Sequence, residues 1–448
     1  MKILKLIALA LTLLLIVTLC ACKNTTNENS SLPNNTASVS SKINTSSQAV
    51  NTSSSNQTVT SWEEIVVELT EREKILLGED PQMYKLALEN EGNPTRIANL
   101  MKKAQKGGSY TIGILGGSIS GGAGATSESN KYANMVFNWW KENFPKAKFT
   151  LVNASIGSAN PEMACYRLET DLLKHQPDFV IIDFSVNTYL DATPDISYAT
   201  LLYRILSQPN QPGILAINFT AVTPKSYQDW SFKKMDEYPD VRLKEPIKKY
   251  DIPTLSYNNY VWNALRRTDE FGSEIINWKD IAADYIHPNN NGHRIAATII
   301  NTHLSTIKKN LSKISSTVPA VPALYDQKYL NVKYLTQTTS GVTVTGGVTK
   351  KANDHPIRRG WHIEGGKAGS LTVPLPTHSK VLIFMSFDTN AKGNIKVTGE
   401  NGVEKIIAVE AAKTPTLVNL SEMGGELIVD SANLTAGSCD IYGICINP

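Results

Sequence analysis

Gly113-Ile-Leu-Gly-Gly-Ser-Ile-Ser120 is an apolar run that halts on two glycines and a serine. Small residues placed this way serve a plain turn, a glycine-rich loop that cradles phosphate, or a nucleophile presented at a strand end. The phosphate reading lacks its chemistry. A P-loop requires Gly-x-x-x-x-Gly-Lys-Ser/Thr, and here Gly122 is followed by Ala123, so the cation is missing. The glycines at 116, 117, 121, 122 and 124 also fail to form Gly-x-Gly-x-x-Gly, the dinucleotide fingerprint.

The neighbouring chain supplies the fold. Short apolar runs at 110–115, 149–153, 179–184, 214–219 and 254–257 alternate with helix-like segments at 131–143, 162–175 and 198–206, and a last helix runs from about Gly292 to Lys309. Strands alternating with helices predict a parallel sheet covered on both faces. Upstream, residues 62–78 and 81–106 have apolar positions near helical spacing and read as two helices.

In a doubly wound sheet the carboxyl ends of adjacent strands open onto one crevice, where such folds bind ligands. The second run ends in Ala154-Ser-Ile-Gly157 and the third in Ser185-Val-Asn187, while Asp284-Tyr-Ile-His287-Pro-Asn-Asn-Asn-Gly-His293 precedes the last helix. Ser118, Gly157 and Asn187 are therefore expected to converge. These side chains suit acyl transfer: serine needs a base, histidine has a suitable pKa near neutrality, and an aspartate fixes its tautomer. Amides at Ser118 and Gly157 and the Asn187 side chain could receive the developing oxyanion.

On these blocks, the segment from about Gly92 to Lys309 resembles the SGNH (GDSL-type) hydrolases. The resemblance implies a flavodoxin-like, doubly wound α/β fold, with Ser118 as nucleophile, His287 as base, Asp284 as its orienting acid, and Ser118, Gly157 and Asn187 as the oxyanion site. Gly92-Asn-x-x-Arg-Ile-Ala, Asn130-Lys-Tyr132, Trp139-Trp140 and Phe144-Pro are similar to the bacterial GGSIT-like branch. Gly117 stands where Asp is common, and Ser185-Val-Asn-Thr188 where Gly-x-Asn-Asp is usual.

Other histidines have structural readings: His175 near a helix end, His293 in the first turn of the final helix, His303 inside it, and His355, His362 and His378 in the β-rich region. Asp284, His287 and His293 match no common zinc spacing, and no metal or organic cofactor is expected. Tyr189, Tyr227, Trp230 and Tyr285 read as packed aromatics.

The flanks set the context. Residues 1–22 carry lysines at 2 and 5, an apolar stretch, and Leu19-Cys-Ala-Cys22, which resembles a lipoprotein signal with Cys22 as the lipidated residue. Residues 23–60 are almost all Asn, Ser, Thr and Gln and read as a disordered tether with a reach on the order of 30 Å. The hydrolase-like domain is placed at 61–312 and a linker at 313–324. Residues 325–448, with glycine-punctuated alternation as at 342–345, 370–373 and 381–387, read as an all-β sandwich. With 44 Lys and Arg against 41 Asp and Glu, net charge is +3 and nucleic acid is not an expected partner.

Cys439 and Cys445 lie about 20 Å apart along an extended strand, so no disulfide is expected between them. The expected protein is an extracytoplasmic, lipid-anchored serine esterase removing acyl groups, acetyl first among them, from a carbohydrate. Its alternatives are an O-acyltransferase acting on a glycan and a glycan-binding lipoprotein with an inert hydrolase domain.

Overall fold

Strand-length runs of Ile, Leu, Val and Phe form the centre of the computed structural model, which describes residues 69–188, 191–222, 241–353, 355, 359–376, 379–400, 402–413 and 415–447. The expected signal, tether and Cys22, as well as Tyr189, Tyr227, Trp230 and His378, lie outside these residues.

The α/β part begins with α1 (Glu71–Leu77), α2 (Pro81–Ala87), β1 (Leu88–Asn90) and α3 (Thr95–Ala104), followed by β2 (Gly108–Gly116), the single turn α4 (Ser118–Gly121), α5 (Tyr132–Asn143) and β3 (Ala147–Asn153). Then come α6 (Pro161–Asp171), β4 (Phe179–Asp183), α7 (Pro194–Leu206), β5 (Gly213–Asn218), α8 (Lys244–Lys249), β6 (Thr254–Ser256), α9 (Tyr257–Leu265), α10 (Trp278–Ile281) and α11 (Asn290–Lys309). The sheet order is β1-β6-β5-β4-β2-β3. Strands β2 to β6 are parallel, whereas β1 pairs with β6 antiparallel. Chain order reverses between β2 and β4, making their carboxyl ends the topological switch point.

Two sequence expectations are corrected. Residues 81–106 are two helices with a strand between them, because Gly92-Asn-Pro94 interrupts the helical pattern: Gly92 has φ 53°, and its backbone lies against Ile252 and Pro253 so closely that a Cβ would collide. The sheet also has an antiparallel edge that the parallel pattern did not foresee.

The faces of the sheet carry separate cores. One combines α3, α5, α9 and α11 with the inward side chains of β2, β4 and β5, including Trp140, Phe179, Leu215 and Ile299. Trp140 meets Phe144, Phe149 and Phe179 at ring-centroid distances of 5.4–5.7 Å. Such pairs add about 0.5–1.5 kcal/mol each beyond simple burial. On the other face, α6 and α7 cover Leu115, Val180, Ile182 and Ile214, and this core continues into Tyr329, Tyr334, Leu382, Phe384, Tyr442 and Cys445 of the C-terminal region.

That C-terminal region is all-β, with β7 (Lys333–Leu335), β8 (Thr343–Val344), β9 (Val348–Lys350), β10 (Trp361–Glu364), β11 (Ser370–Pro374), β12 (Ser379–Phe387), β13 (Lys392–Gly399), β14 (Glu404–Ala408), β15 (Thr416–Met423), β16 (Glu426–Asp430), β17 (Leu434–Ala436) and β18 (Ser438–Asn447). One antiparallel sheet runs β15-β12-β18-β10-β9, with β7 also on β18; the other runs β14-β13-β16-β11-β8, with β17 also on β13. Alternating side chains such as Val381, Ile383, Met385, Val397 and Val429 fill the space between them. The opposite side of β12 and β18 supplies Leu382, Phe384, Tyr442 and Cys445 to the hydrolase-side core.

The segment joining the two parts is tied to α3: Lys102 Nζ donates to the Ile314 carbonyl at 2.9 Å and Asn99 Nδ2 to that of Ser316 at 2.9 Å. Cys165, Cys439 and Cys445 are free thiols, all buried. Among the described residues no helix is long and apolar enough to cross a membrane.

Candidate active site

The end of β2 is built for close approach. A Cβ on Gly117 would lie 2.2 Å from Asn187 Nδ2, so the side chain in the turn after β4 can reach the nucleophile turn only across a glycine. This accounts for Gly117 where a larger residue is common. Ser118 then opens α4, where its N–H has no preceding helical carbonyl to bond. Gly124, with φ 90°, brings its loop against the other half of the site: a Cβ there would meet the Pro288 carbonyl at 2.1 Å and His287 Cβ at 3.2 Å.

The histidine is delivered by a tight loop between α10 and α11. Asp284 Oδ1 accepts from the backbone amides of Ile286 and His287, both at 2.7 Å, and Trp278 Nε1 donates to the Asp284 carbonyl at 2.6 Å. Asp284 Oδ2 then lies 2.6 Å from His287 Nδ1, while His287 Nε2 lies 2.9 Å from Ser118 Oγ. Burial works against ionisation of Asp284, but the His287 hydrogen bond and charge and the two amides outweigh it, holding the carboxyl below its usual range. The carboxylate on Nδ1 fixes the ring orientation and leaves Nε2 facing the Ser118 hydroxyl as the proton acceptor.

Gly157 enters from the loop after β3, where a Cβ would stand 3.9 Å from Ser118 Cβ. The next residue, Ser158, has φ 61°, a left-handed conformation unusual outside glycine. Asn187 is buried and donates through Nδ2 to the Ala159 carbonyl at 3.0 Å. Ser118, Gly157 and Asn187 therefore meet around one position, with Asp284 and His287 behind the serine.

A second carboxylate joins the turns from below. Asp183 closes β4 and is 2% exposed; its Oδ1 accepts from Ser185 N at 3.2 Å and Ser185 Oγ at 3.0 Å, and its Oδ2 from Ser120 Oγ at 3.1 Å. Ser120 also meets Tyr132 Oη at 2.7 Å. Burial pushes the Asp183 carboxyl up to about 6 despite these donors. Ser185 also accepts from Phe219 N at 2.8 Å, so the serine that replaces the usual glycine stitches β4 to β5. Thr188 is buried and donates to the Ser185 carbonyl at 3.4 Å.

Sequence reasoning passed over Asp183, although a carboxylate ending an otherwise apolar strand was the available signal. Arg167, which donates to the Ala154 carbonyl at 3.1 Å from within α6, gave no such signal.

The remaining histidines serve elsewhere. His293 lies in the first turn of α11 and places Nε2 3.0 Å from the Ala123 carbonyl; burial lowers its pKa to about 4. His303 Nδ1 is 3.2 Å from Tyr84 Oη, and His362 Nδ1 is 2.8 Å from Asp440 Oδ1 in the sandwich. His175 lies in the short turn after α6. Tyr285 packs beside the first core, and among the described residues no group of three His, Cys, Asp or Glu is arranged to hold a metal.

Residues 114–295 match the model of the GDSL-like lipase/acylhydrolase family. This segment is an SGNH hydrolase domain. The chain is accordingly a carboxylic ester hydrolase by family. A solved two-domain esterase active on acetylated mannans, crystallised with mannopentaose, superposes with TM-score 0.63 at 23% identity over 81% of this chain and 97% of its own. The pairing of an SGNH domain with a β-domain is thus a shared architecture. Acetylxylan esterase from Geobacillus stearothermophilus matches at 18% identity and TM-score 0.34, covering 44% of this chain and 94% of its own. A comparison with curated proteins finds no match.

Proposed function

We propose that this protein is a serine esterase that removes O-acyl groups, acetyl above all, from carbohydrate outside the cell, held to the membrane by a lipid on Cys22. The observation that carries the chemistry is His287 standing between Ser118 Oγ at 2.9 Å and Asp284 Oδ2 at 2.6 Å. His287 Nε2 takes the hydroxyl proton as Oγ bonds to the ester carbonyl carbon, and the carbonyl π pair moves onto oxygen. The Ser118 and Gly157 amides and Asn187 Nδ2 receive that charge. The imidazolium then protonates the departing sugar oxygen as the tetrahedral intermediate collapses to acyl-enzyme.

Water repeats the sequence, with His287 accepting its proton and returning one to Ser118 Oγ as the carboxylic acid leaves. Asp284 stays ionised throughout and stabilises the imidazolium. The SGNH family supports ester chemistry, while the carbohydrate assignment draws on the two-domain architecture shared with the mannan-active esterase.

Acetate release from acetylated mannan, acetylated xylan, acetylated peptidoglycan and 4-nitrophenyl acetate tests this reading. Ser118→Ala is expected to lower turnover by at least about 10⁴-fold. Equal release by both proteins overturns the mechanism, and labelled acetyl appearing on an acceptor glycan without free acetate replaces hydrolysis by transfer. Incorporation of labelled palmitate that disappears in Cys22→Ala tests the anchor.

A further inference from the structure

A buried charge cluster crosses from the β-domain to the SGNH domain and ends at the oxyanion loop. Arg167 and Asp171 lie one helical turn apart on α6, and Arg359 comes from the loop before β10; their side chains are 0%, 0% and 4% exposed. Asp171 takes Arg167 Nη1 on Oδ2, and on Oδ1 both Arg359 Nη1 and the Thr170 hydroxyl, the latter at 3.0 Å. Arg167 is thereby left with Nη2 directed elsewhere, and it donates to the Ala154 carbonyl at 3.1 Å. Ala154 opens the loop that carries Gly157 and the left-handed Ser158.

Two guanidiniums around one buried carboxylate leave an excess positive charge in the interior, which the Arg167–Asp171 pair alone would not have. Its geometric effect is specific. An arginine beside a carboxylate with both oxygens free closes on it as a bidentate fork. Here Arg359, stacked over Tyr334 at 4.9 Å, occupies one oxygen, so the Arg167 fork is split between Asp171 and Ala154. Removing Arg359 leaves Oδ1 with the Thr170 hydroxyl alone, and Arg167 can then turn both nitrogens to Asp171 and abandon Ala154. A loop holding a non-glycine residue at positive φ keeps that shape only while its surroundings enforce it.

We infer that Arg359 is a positioning residue for ester hydrolysis, acting through Asp171 and Arg167 to hold the oxyanion loop. The inference rests on Gly157 as an oxyanion donor in the reading above. By this route the β-domain sets turnover even on a substrate too small to touch it.

The test uses the full chain with 4-nitrophenyl acetate and with acetylated mannan, each rate normalised to nucleophiles titrated by a fluorophosphonate. Arg359→Met is expected to label fully while kcat on 4-nitrophenyl acetate falls about 10-fold or more with KM unchanged, since displacing an oxyanion donor costs turnover. Arg359→Lys keeps a cation on Oδ1 and is expected to restore most of the rate. Arg167→Met removes the same support, so the double variant should be no slower than the slower single variant.

An unchanged kcat per titrated site in Arg359→Met overturns the inference, as does a loss confined to KM on the polysaccharide, which marks a binding module instead. Should Arg359→Met fail to fold, Arg167→Lys decides: it keeps the charge beside Asp171 without the fork, and an unchanged kcat there also overturns the inference. Wild-type protein that neither labels nor hydrolyses overturns this proposal together with the hydrolase reading, whereas active wild type with an unaffected Arg359→Met overturns this one alone.

Discussion

The two faces of the parallel sheet are closed by different means. Helices from both ends of the SGNH domain cover the first, so its core is assembled from nearby layers of one domain. The second is covered by α6 and α7 and then by aromatic and aliphatic side chains of the sandwich, including Tyr329, Phe384 and Tyr442. One face belongs to a domain, and the other is shared between two. Polar links reinforce the sharing: Thr193 Oγ1 lies 3.1 Å from Tyr329 Oη and accepts from Lys328 Nζ at 3.1 Å. The β-region is therefore a structural layer of the catalytic part.

Removing that layer should produce the largest effect. A chain ending at residue 319 is expected to lose the cooperative thermal transition and expose the second core, observed by calorimetry and by binding of an apolar dye. An intact, unshifted transition would dissolve the distinction between the faces. Next in size, Phe384→Ala is expected to cost about 3–5 kcal/mol, with ester hydrolysis lost at the same lowered urea midpoint as the β-sheet signal. Ile299→Ala, from the self-contained face, should cost about 2–5 kcal/mol and supplies the matched control. Two separated transitions in Phe384→Ala alone would show that the shared face does not couple the domains.

Asp183 sharpens the comparison along the pH axis, because it ends the strand lying between the two cores. Burial lifts its carboxyl from an ordinary 3.8 to about 6, so between these values the folded chain binds more protons than the unfolded chain. Stability from this group is then greatest at the acid end and falls as pH rises toward 6, by up to about 1.4 kcal/mol per pH unit. Asp183→Asn should remove that decline, so that its stability relative to wild type increases from pH 4 to pH 6 in urea titrations. A constant difference would show that the carboxyl carries no such shift. The smallest effect is expected at the rim of the first face: Thr70 caps α1 in a reciprocal box with Glu73, and Thr70→Ala should lower stability by about 1 kcal/mol.

The unequal closure also explains what the sequence disclosed. Strand ends are legible because an apolar run stops where the backbone leaves the sheet, and those stops placed Ser118, Gly157 and Asn187 in one crevice. The Asp284–His287 spacing was local and equally readable. The path through 81–106 was not, since its apolar positions suit a helix and only packing against Ile252 and Pro253 fixes the break at Gly92. Arg167, Asp171 and Arg359 were invisible for a related reason: 188 residues separate Asp171 from Arg359, and no periodicity reports which distant charges share an interior. Cys445 and Phe384 likewise resemble ordinary sandwich residues until the second core is assembled.

The antiparallel strand β1 has a consequence for self-association. Parallel strands buried on both faces are strongly apolar, and an open margin would offer a row of unmatched amides as a template for another chain. At one margin Leu88 and Asn90 pair with Leu255 and Thr254, after which the chain turns away, leaving only a three-residue rim. The opposite margin, β3, exposes Lys148 and Thr150 within a strand of mixed burial. A short rim at one side and a charge at the other discourage growth of the sheet from copy to copy.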